Sequence, residues 1–238
     1  MENWHPFELM PQVLAIAITV IIIGAVFITY YVKLKKIPVN QAPTGFCLAI
    51  QVYIQFLRNM VIESLGKKAE KITPYFIYLF SYLIVSNLIG IIGFENPTSS
   101  LTVTLSLGLV TFFGTFVVGF RYQRLSYLNK FFYTIKTKKN KKIPVMFNPM
   151  SIPETIAPLI SISFRLWGNM IAGGIIITLW YYMMGIIQKN VPVLGVFNII
   201  GGITAPPLNA YFDLLCGLIQ ALVFVLLTNV YWSLAQGE

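Results

Sequence analysis

Residues 11 to 32, PQVLAIAITVIIIGAVFITYYV, contain no charged side chain, and KLKK follows at once. About twenty apolar residues wound as a helix span the roughly 30 Å of hydrocarbon in a bilayer. Inside that layer the backbone must satisfy its own hydrogen bonds, which leaves a helix or a closed barrel. The run has neither the basic start nor the small-residue cleavage site of a signal peptide, so it reads as a mature span. Similar stretches follow at 74–94 and 101–120, and two of about 40 residues at 148–188 and 193–235. The chain of 238 residues is 57% hydrophobic and 11% charged, with a mean hydropathy of +0.75. A soluble domain carries roughly 25% charged residues. These values predict an all-α polytopic membrane protein forming a single membrane domain over 1–238.

Charge supplies the orientation. The net charge of +9 is compatible with nucleic acid, but fifteen of the seventeen basic residues fall in two zones flanking the spans. One runs from Lys33 to Lys71, the other from Arg121 to Lys142. That is the positive-inside pattern, not a nucleic-acid face. The amino terminus, with Glu2 and Glu8, is then outside and the carboxyl terminus cytoplasmic. Residues 44–71 read as an amphipathic helix at the inner interface, and 121–147 as a solvated basic cytoplasmic segment. ENPTSS at 95–100 reads as an outer turn. Pro158, Pro192, Pro206 and Pro207 mark bends, so the two long stretches are either steeply tilted helices or bent hairpin pairs.

Cys47 and Cys216 imply no disulfide framework, and no cluster suggests a metal or another cofactor. His5, between Trp4 and Pro6, reads as a headgroup-level surface residue. No GxxxxGK[ST] loop is present, so this chain is expected to bind no nucleotide and carry no catalytic site.

The informative groups are polar residues within the apolar stretches. Arg165 lies in PLISISFRLWGNMIAGGIIITLW, where a cation costs several kcal/mol or more. On a continuous helix, at about 100° per residue, Glu154, Arg165 and Asn169 share one face. In the last stretch Asp213 and Gln220, seven apart, again share a face. This places an acid toward each side of the membrane and a permanent cation between, as two aqueous half-paths that do not meet require. Other readings of the same residues stand beside it. Arg165 snorkels to headgroups, or forms a structural pair with Asp213. Glu154 is an ordinary helix-start acid. Asn169 and Gln220 are interhelical glue worth roughly 1 kcal/mol each.

SFRLWGNMIAG at 163–173 resembles the signature of subunit a of the F-type ATP synthases, and LIQALVFVLLTNVYWSLA resembles that family's carboxyl-terminal helix. SNLIGIIGF and NPTSSLTVTLSLGLVTF are similar to its second and third spans. The match covers about residues 38 to 236, in order. The resemblance implies a stator beside a rotating ring of c subunits, with two long, steeply tilted helices wrapping the ring and peripheral-stalk b subunits and lipids as further partners; the short basic loops favour a bacterial plasma membrane. It implies that Arg165 is the essential cation facing the ring's carboxylates, with Asn169 and Gln220 as polar neighbours. Asp213 would line the outer half-path and Glu154 the cytoplasmic one. Many relatives carry an acid or histidine nine positions after the arginine, where this chain has Gly174. Where they often have histidine or glutamate seven before the glutamine, this chain has Asp213. The proline before the arginine is shifted by one residue, and Glu154 stands about three residues closer to it than in many relatives. A secondary transporter with a mid-membrane Arg165/Asp213 site predicts inverted repeats, which the sequence does not display. A passive membrane anchor would need neither Arg165 nor Asp213.

Overall fold

A computed structural model describes residues 11–38, 43–92, 96–124, 127, 132–136, 142–189 and 199–237. Within these, the side chains of 11, 68, 91, 92, 132–136, 142–147, 152, 154, 188, 189, 199 and 200 are not described. Glu2, His5, Glu8, Glu95 and Pro192 lie outside the described residues, as does the side chain of Glu154.

The membrane body is all-α. Its helices are α1 (Pro11–Lys35), α2 (Phe46–Leu65), α3 (Thr73–Ile92), α4 (Leu101–Gln123), α5 (Ser151–Lys189), α6 (Ile199–Tyr211) and α7 (Gly217–Gln236). A π-helical turn, Phe212–Cys216, joins α6 to α7. Five helical segments are long and apolar enough to cross a membrane: 12–35, 69–90, 101–123, 155–187 and 201–236. Their surfaces confirm the class, because Ile21 and Ile28 of α1 are 68% and 65% exposed. Contiguous apolar surface of that kind marks a face made for lipid or another chain.

Helix α5 settles one choice the sequence left open. It is a single helix of 39 residues with Pro158 inside it, so the first long stretch is not a hairpin. At 1.5 Å per residue it is about 58 Å long, close to twice the hydrocarbon thickness. Pro206 and Pro207 likewise sit within α6 without ending it. Hydroxyls inside the spans bond back to their own helices, as for Thr115 to the Thr111 carbonyl, Thr178 to Gly174 and Thr228 to Phe224. In this way a threonine hydroxyl within a span satisfies its own donor.

The core lies where α2, α3, α5 and α7 meet. Leu57 and Val61 of α2, Phe76 and Leu83 of α3, Leu166 of α5 and Phe224 of α7 are fully buried. Trp232 of α7 stacks on Tyr75 and meets Phe76 edge-on, and its Nε1–H donates to the Thr111 carbonyl of α4 at 3.1 Å. Gly114 gives that indole room, since a Cβ there would overlap it. Helix α2 buries the stripe Leu57, Val61 and Leu65 and exposes Val52 and Phe56. A 3₁₀ turn, Lys67–Ile72, links it to α3, and Arg58 pairs with Glu70 of that turn.

The basic segment also contains two short strands flanking residues 137–141, which lie outside the described residues. Strands β1 (Phe132–Lys136) and β2 (Lys142–Phe147) form an antiparallel pair. FYTIK and KIPVMF are rich in β-branched and aromatic residues, the composition a pleated surface favours. The register shifts between Tyr133 and Thr134, opposite Pro144, which has no N–H to give the ladder.

Candidate functional site

Arg165 lies on a face of α5 that is exposed among the described residues. Ile162, Ser163, Leu166 and Gly173 are buried, whereas Phe164, Arg165, Asn169 and Ala172 are exposed. Ser163 packs over Gly108 of α4, a position where a Cβ would collide with its hydroxyl. This close approach fixes the rotation of α5 and so aims Arg165 outward. Arg58–Glu70 is the one salt bridge among the described residues. Arg165 and Asp213 therefore do not form a structural pair here.

Asn169 and Gln220 do meet. Asn169 Nδ2 donates to Gln220 Oε1 at 3.0 Å, joining α5 to α7. Gln220 is 4% exposed, so its amide is turned toward α5 instead of the open side. Asp213 is half-buried and sits in the π-helical turn. A regular α-helix would return it to the face of Gln220 after seven residues. The wider turn breaks that register, and such turns often mark functional positions. Phe212 beside it rests near Gly173, 3.6 Å from where a Cβ would stand, while Gly174 has open space around its Cα.

Two polar regions flank these residues. On the side of Asp213, Asn87 of α3 is 2% exposed, and its Oδ1 accepts from Thr98 Oγ1 at 3.3 Å. Its Nδ2 is buried with no partner and lies against Gly217. Asn96 fits a niche left by Gly90 and reaches Met170 Sδ of α5 at 3.5 Å. On the basic side a cavity of about 260 Å³ opens between α4, the start of α5 and the end of α7. Thr111, Thr115, Gln123, Thr155, Thr228 and Tyr231 contribute its polar lining. Thr155 adjoins Glu154 in the chain, in the first turns of α5.

The family model of the ATP synthase A chain matches residues 13–233. The chain belongs to the ATP synthase A chain family. The ATP synthase subunit a of Mycoplasmoides gallisepticum is 42% identical to it over 97% of this chain and 80% of that protein. Those of Mycoplasma pneumoniae and Mycoplasma genitalium are each 38% identical, over 97% and 100% of this chain. Membership, with the five apolar helical segments, makes this A chain an integral membrane component of the ATP synthase, and it lends no support to the transporter reading.

Sequence reasoning passed over the hydroxyls of the basic-side cavity and the buried amides near Asp213. Thr111 and Thr115 on α4 are one helical turn apart, and Asn87 is an amide within an apolar span. Both signals were present, but single polar residues in membrane helices are common enough that neither stood out.

Proposed function

We propose that this chain is the ion-translocating stator of a rotary ATP synthase, coupling transmembrane proton flow to rotation of a ring of c subunits. The observation that carries the proposal is the placement of Arg165. It lies about 21 Å along α5 from its start and about 36 Å from its end, on an outward face and without a carboxylate partner among the described residues. A guanidinium in hydrocarbon needs a counter-charge, and the ring's carboxylates supply one in trans.

The physics of the cycle follows. An ionised carboxylate on a ring helix cannot enter lipid without a cost of several kcal/mol, so it leaves the stator only when protonated. Arg165 favours the ionised form, and an arriving protonated acid therefore releases its proton into the inner path. After passing Arg165 the acid takes a proton from the outer path at Asp213. Arginine suits the role because it stays charged and holds a carboxylate through two parallel hydrogen bonds. Its fixed charge also repels protons that would leak between the paths. The Asn169–Gln220 bond holds α5 and α7 together beside it.

The outer path comprises Asp213, the space at Gly174 and the unpartnered Asn87 Nδ2, with waters completing it. The inner path is the basic-side cavity, and Glu154, next to its lining residue Thr155 in the chain, serves as the cytoplasmic acid. Orientation follows the basic zones, with the amino terminus outside and the carboxyl terminus in the cytoplasm of a bacterium. Nucleotide chemistry belongs to other subunits, and peripheral-stalk b subunits restrain this single membrane domain against the turning ring. Each charge moved across 100 mV is worth about 2.3 kcal/mol, so several transfers drive each turn.

Substituting Arg165→Ala in the intact complex tests the reading. ATP-driven acidification of inverted membrane vesicles is expected to vanish while the assembled complex persists. Undiminished coupled pumping would overturn it.

A further inference from the structure

A second cavity, of about 280 Å³, lies away from Arg165 between α1, α2 and α3. Ile23, Val26 and Phe27 of α1, Tyr53 of α2 and Ile84 of α3 form most of its wall. The two hydroxyls at its edge, Tyr53 and Ser81, bond each other at 2.7 Å, so the wall presents carbon to the interior. An apolar cavity of this kind does not hold water, and left empty its lining forgoes dispersion contacts. Val26 is 39% exposed, so the cleft reaches the lipid-facing surface of α1.

The end of α1 is cationic. Lys33 and Lys35 occupy its last turn, Lys36 follows, and no carboxylate among the described residues pairs with them. Lys33 Nζ stands 5.1 Å from the centroid of the Phe46 ring, at the first residue of α2. Six residues of helix, about 9 Å, separate Phe27 in the cleft from Lys33. Ile50, which also lines the cleft, is one turn from Phe46. A carbon-lined cleft with the Lys33 ammonium about 9 Å along α1, and further positive charge from Lys35 and Lys36 at the same helix end, matches an amphiphile with an anionic head.

We infer that this cleft binds an anionic phospholipid, one acyl chain lying against Val26, Phe27 and Ile84 and the phosphate meeting Lys33, with Lys35 and Lys36 adding to the local positive charge. A free phosphate would leave the apolar cleft unfilled. An apolar helix from a partner protein would leave the lysines without a counter-charge, whereas an anionic phospholipid offers both an acyl chain for the cleft and a phosphate for them. Anionic headgroups attract lysines beside the membrane surface, and each such contact adds to the affinity.

The test uses the intact detergent-solubilised ATP synthase membrane sector, native mass spectrometry, and phosphatidylglycerol or phosphatidylcholine as added lipid. The wild type is expected to retain phosphatidylglycerol preferentially. The triple variant Lys33→Gln, Lys35→Gln, Lys36→Gln, which touches only exposed side chains, is expected to reduce that preference about tenfold or more. Val85→Trp, at the cleft wall, is expected to displace the bound lipid of either kind. A photo-crosslinking p-benzoylphenylalanine at Val26 is expected to capture phospholipid. Equal retention of both lipids by the wild type, a preference unchanged in the triple variant, or capture of a protein chain at position 26 would each overturn the inference.

Discussion

Gly217 offers a quantitative test of how α3 and α7 pack beside Asp213. A Cβ at this position would stand 2.7 Å from Asn87 Nδ2 and 2.9 Å from Asn87 Cβ and Cγ. The amide end could swing away in an open site, but Asn87 is 2% exposed and is held by Thr98. Its Cβ moves only with the backbone of α3. Gly217→Ala must therefore push the helices apart, an overpacking cost of about 1–3 kcal/mol. A disturbed Thr98–Asn87 bond adds roughly 0.6 kcal/mol by the average for membrane proteins. Against this, alanine is favoured over glycine within a helix by about 1 kcal/mol. The net expectation is a loss of about 1–2 kcal/mol, or a fall of roughly 2–8 °C in the unfolding midpoint of the solubilised complex. The control is the same substitution in an Asn87→Gly background, which removes all three crowding atoms. There Gly217→Ala should be neutral or stabilising by up to about 1 kcal/mol, giving a coupling of about 2 kcal/mol in the double-mutant cycle. An equal loss in both backgrounds would refute the packing argument.

Under the proposed mechanism Asp213→Asn should slow proton uptake from the outer side severely, whereas Asp213→Glu should be mild; an unchanged passive proton conductance in the asparagine variant would count against an outer path. Thr115→Val together with Thr228→Val replaces two hydroxyls of the basic-side cavity by methyl groups of similar volume. Proton conductance through the isolated membrane sector should fall about tenfold with assembly intact, and full conductance would exclude this cavity as a route. Arg58→Gln removes the exposed ion pair with Glu70. It should cost no more than about 1 kcal/mol and matter less as salt rises, which unfolding midpoints at low and high ionic strength will show.

The spans were legible because hydrocarbon imposes one strong rule on composition and length, and α1, with its uninterrupted apolar run, is the plainest case. Whether Pro158 breaks a helix or merely sits in one was not legible, since that depends on what relieves its missing hydrogen bond. The strands over 132–136 and 142–147 were hidden beneath a lysine-rich segment whose charge suggested a loop. At the candidate site, Arg165 and Asn169 announced themselves as polar groups in an apolar setting, and their shared outward face follows from helical spacing. The inward turn of Gln220 did not follow from spacing, because the π-helical turn around Asp213 alters the phase and no residue type specifies such a turn. The cavity beside Thr155 was equally hidden. Its hydroxyls come from three separate helices, and each looks ordinary in its own segment.

The manner in which polar groups are satisfied separates what this chain completes by itself from what it does not. Thr115, Thr178 and Thr228 bond to carbonyls of their own helices, and Asn169 finds Gln220 across the bundle. These bonds need no partner and would exist in a passive anchor. Arg165 differs in kind: it cannot be neutralised, it lies far from both ends of α5, and the one described salt bridge involves other residues. Placing Asp213 against it inside the chain would have been the cheaper solution for stability alone. The π-helical turn and the packing of Phe212 near Gly173 instead give Asp213 a setting of its own, and Ser163 seated on Gly108 holds α5 with its cation outward. A fold that keeps a cation and an acid apart in a medium that favours their union gives up stability, and the proposed exchange of carboxylates from a moving partner is what makes that separation useful.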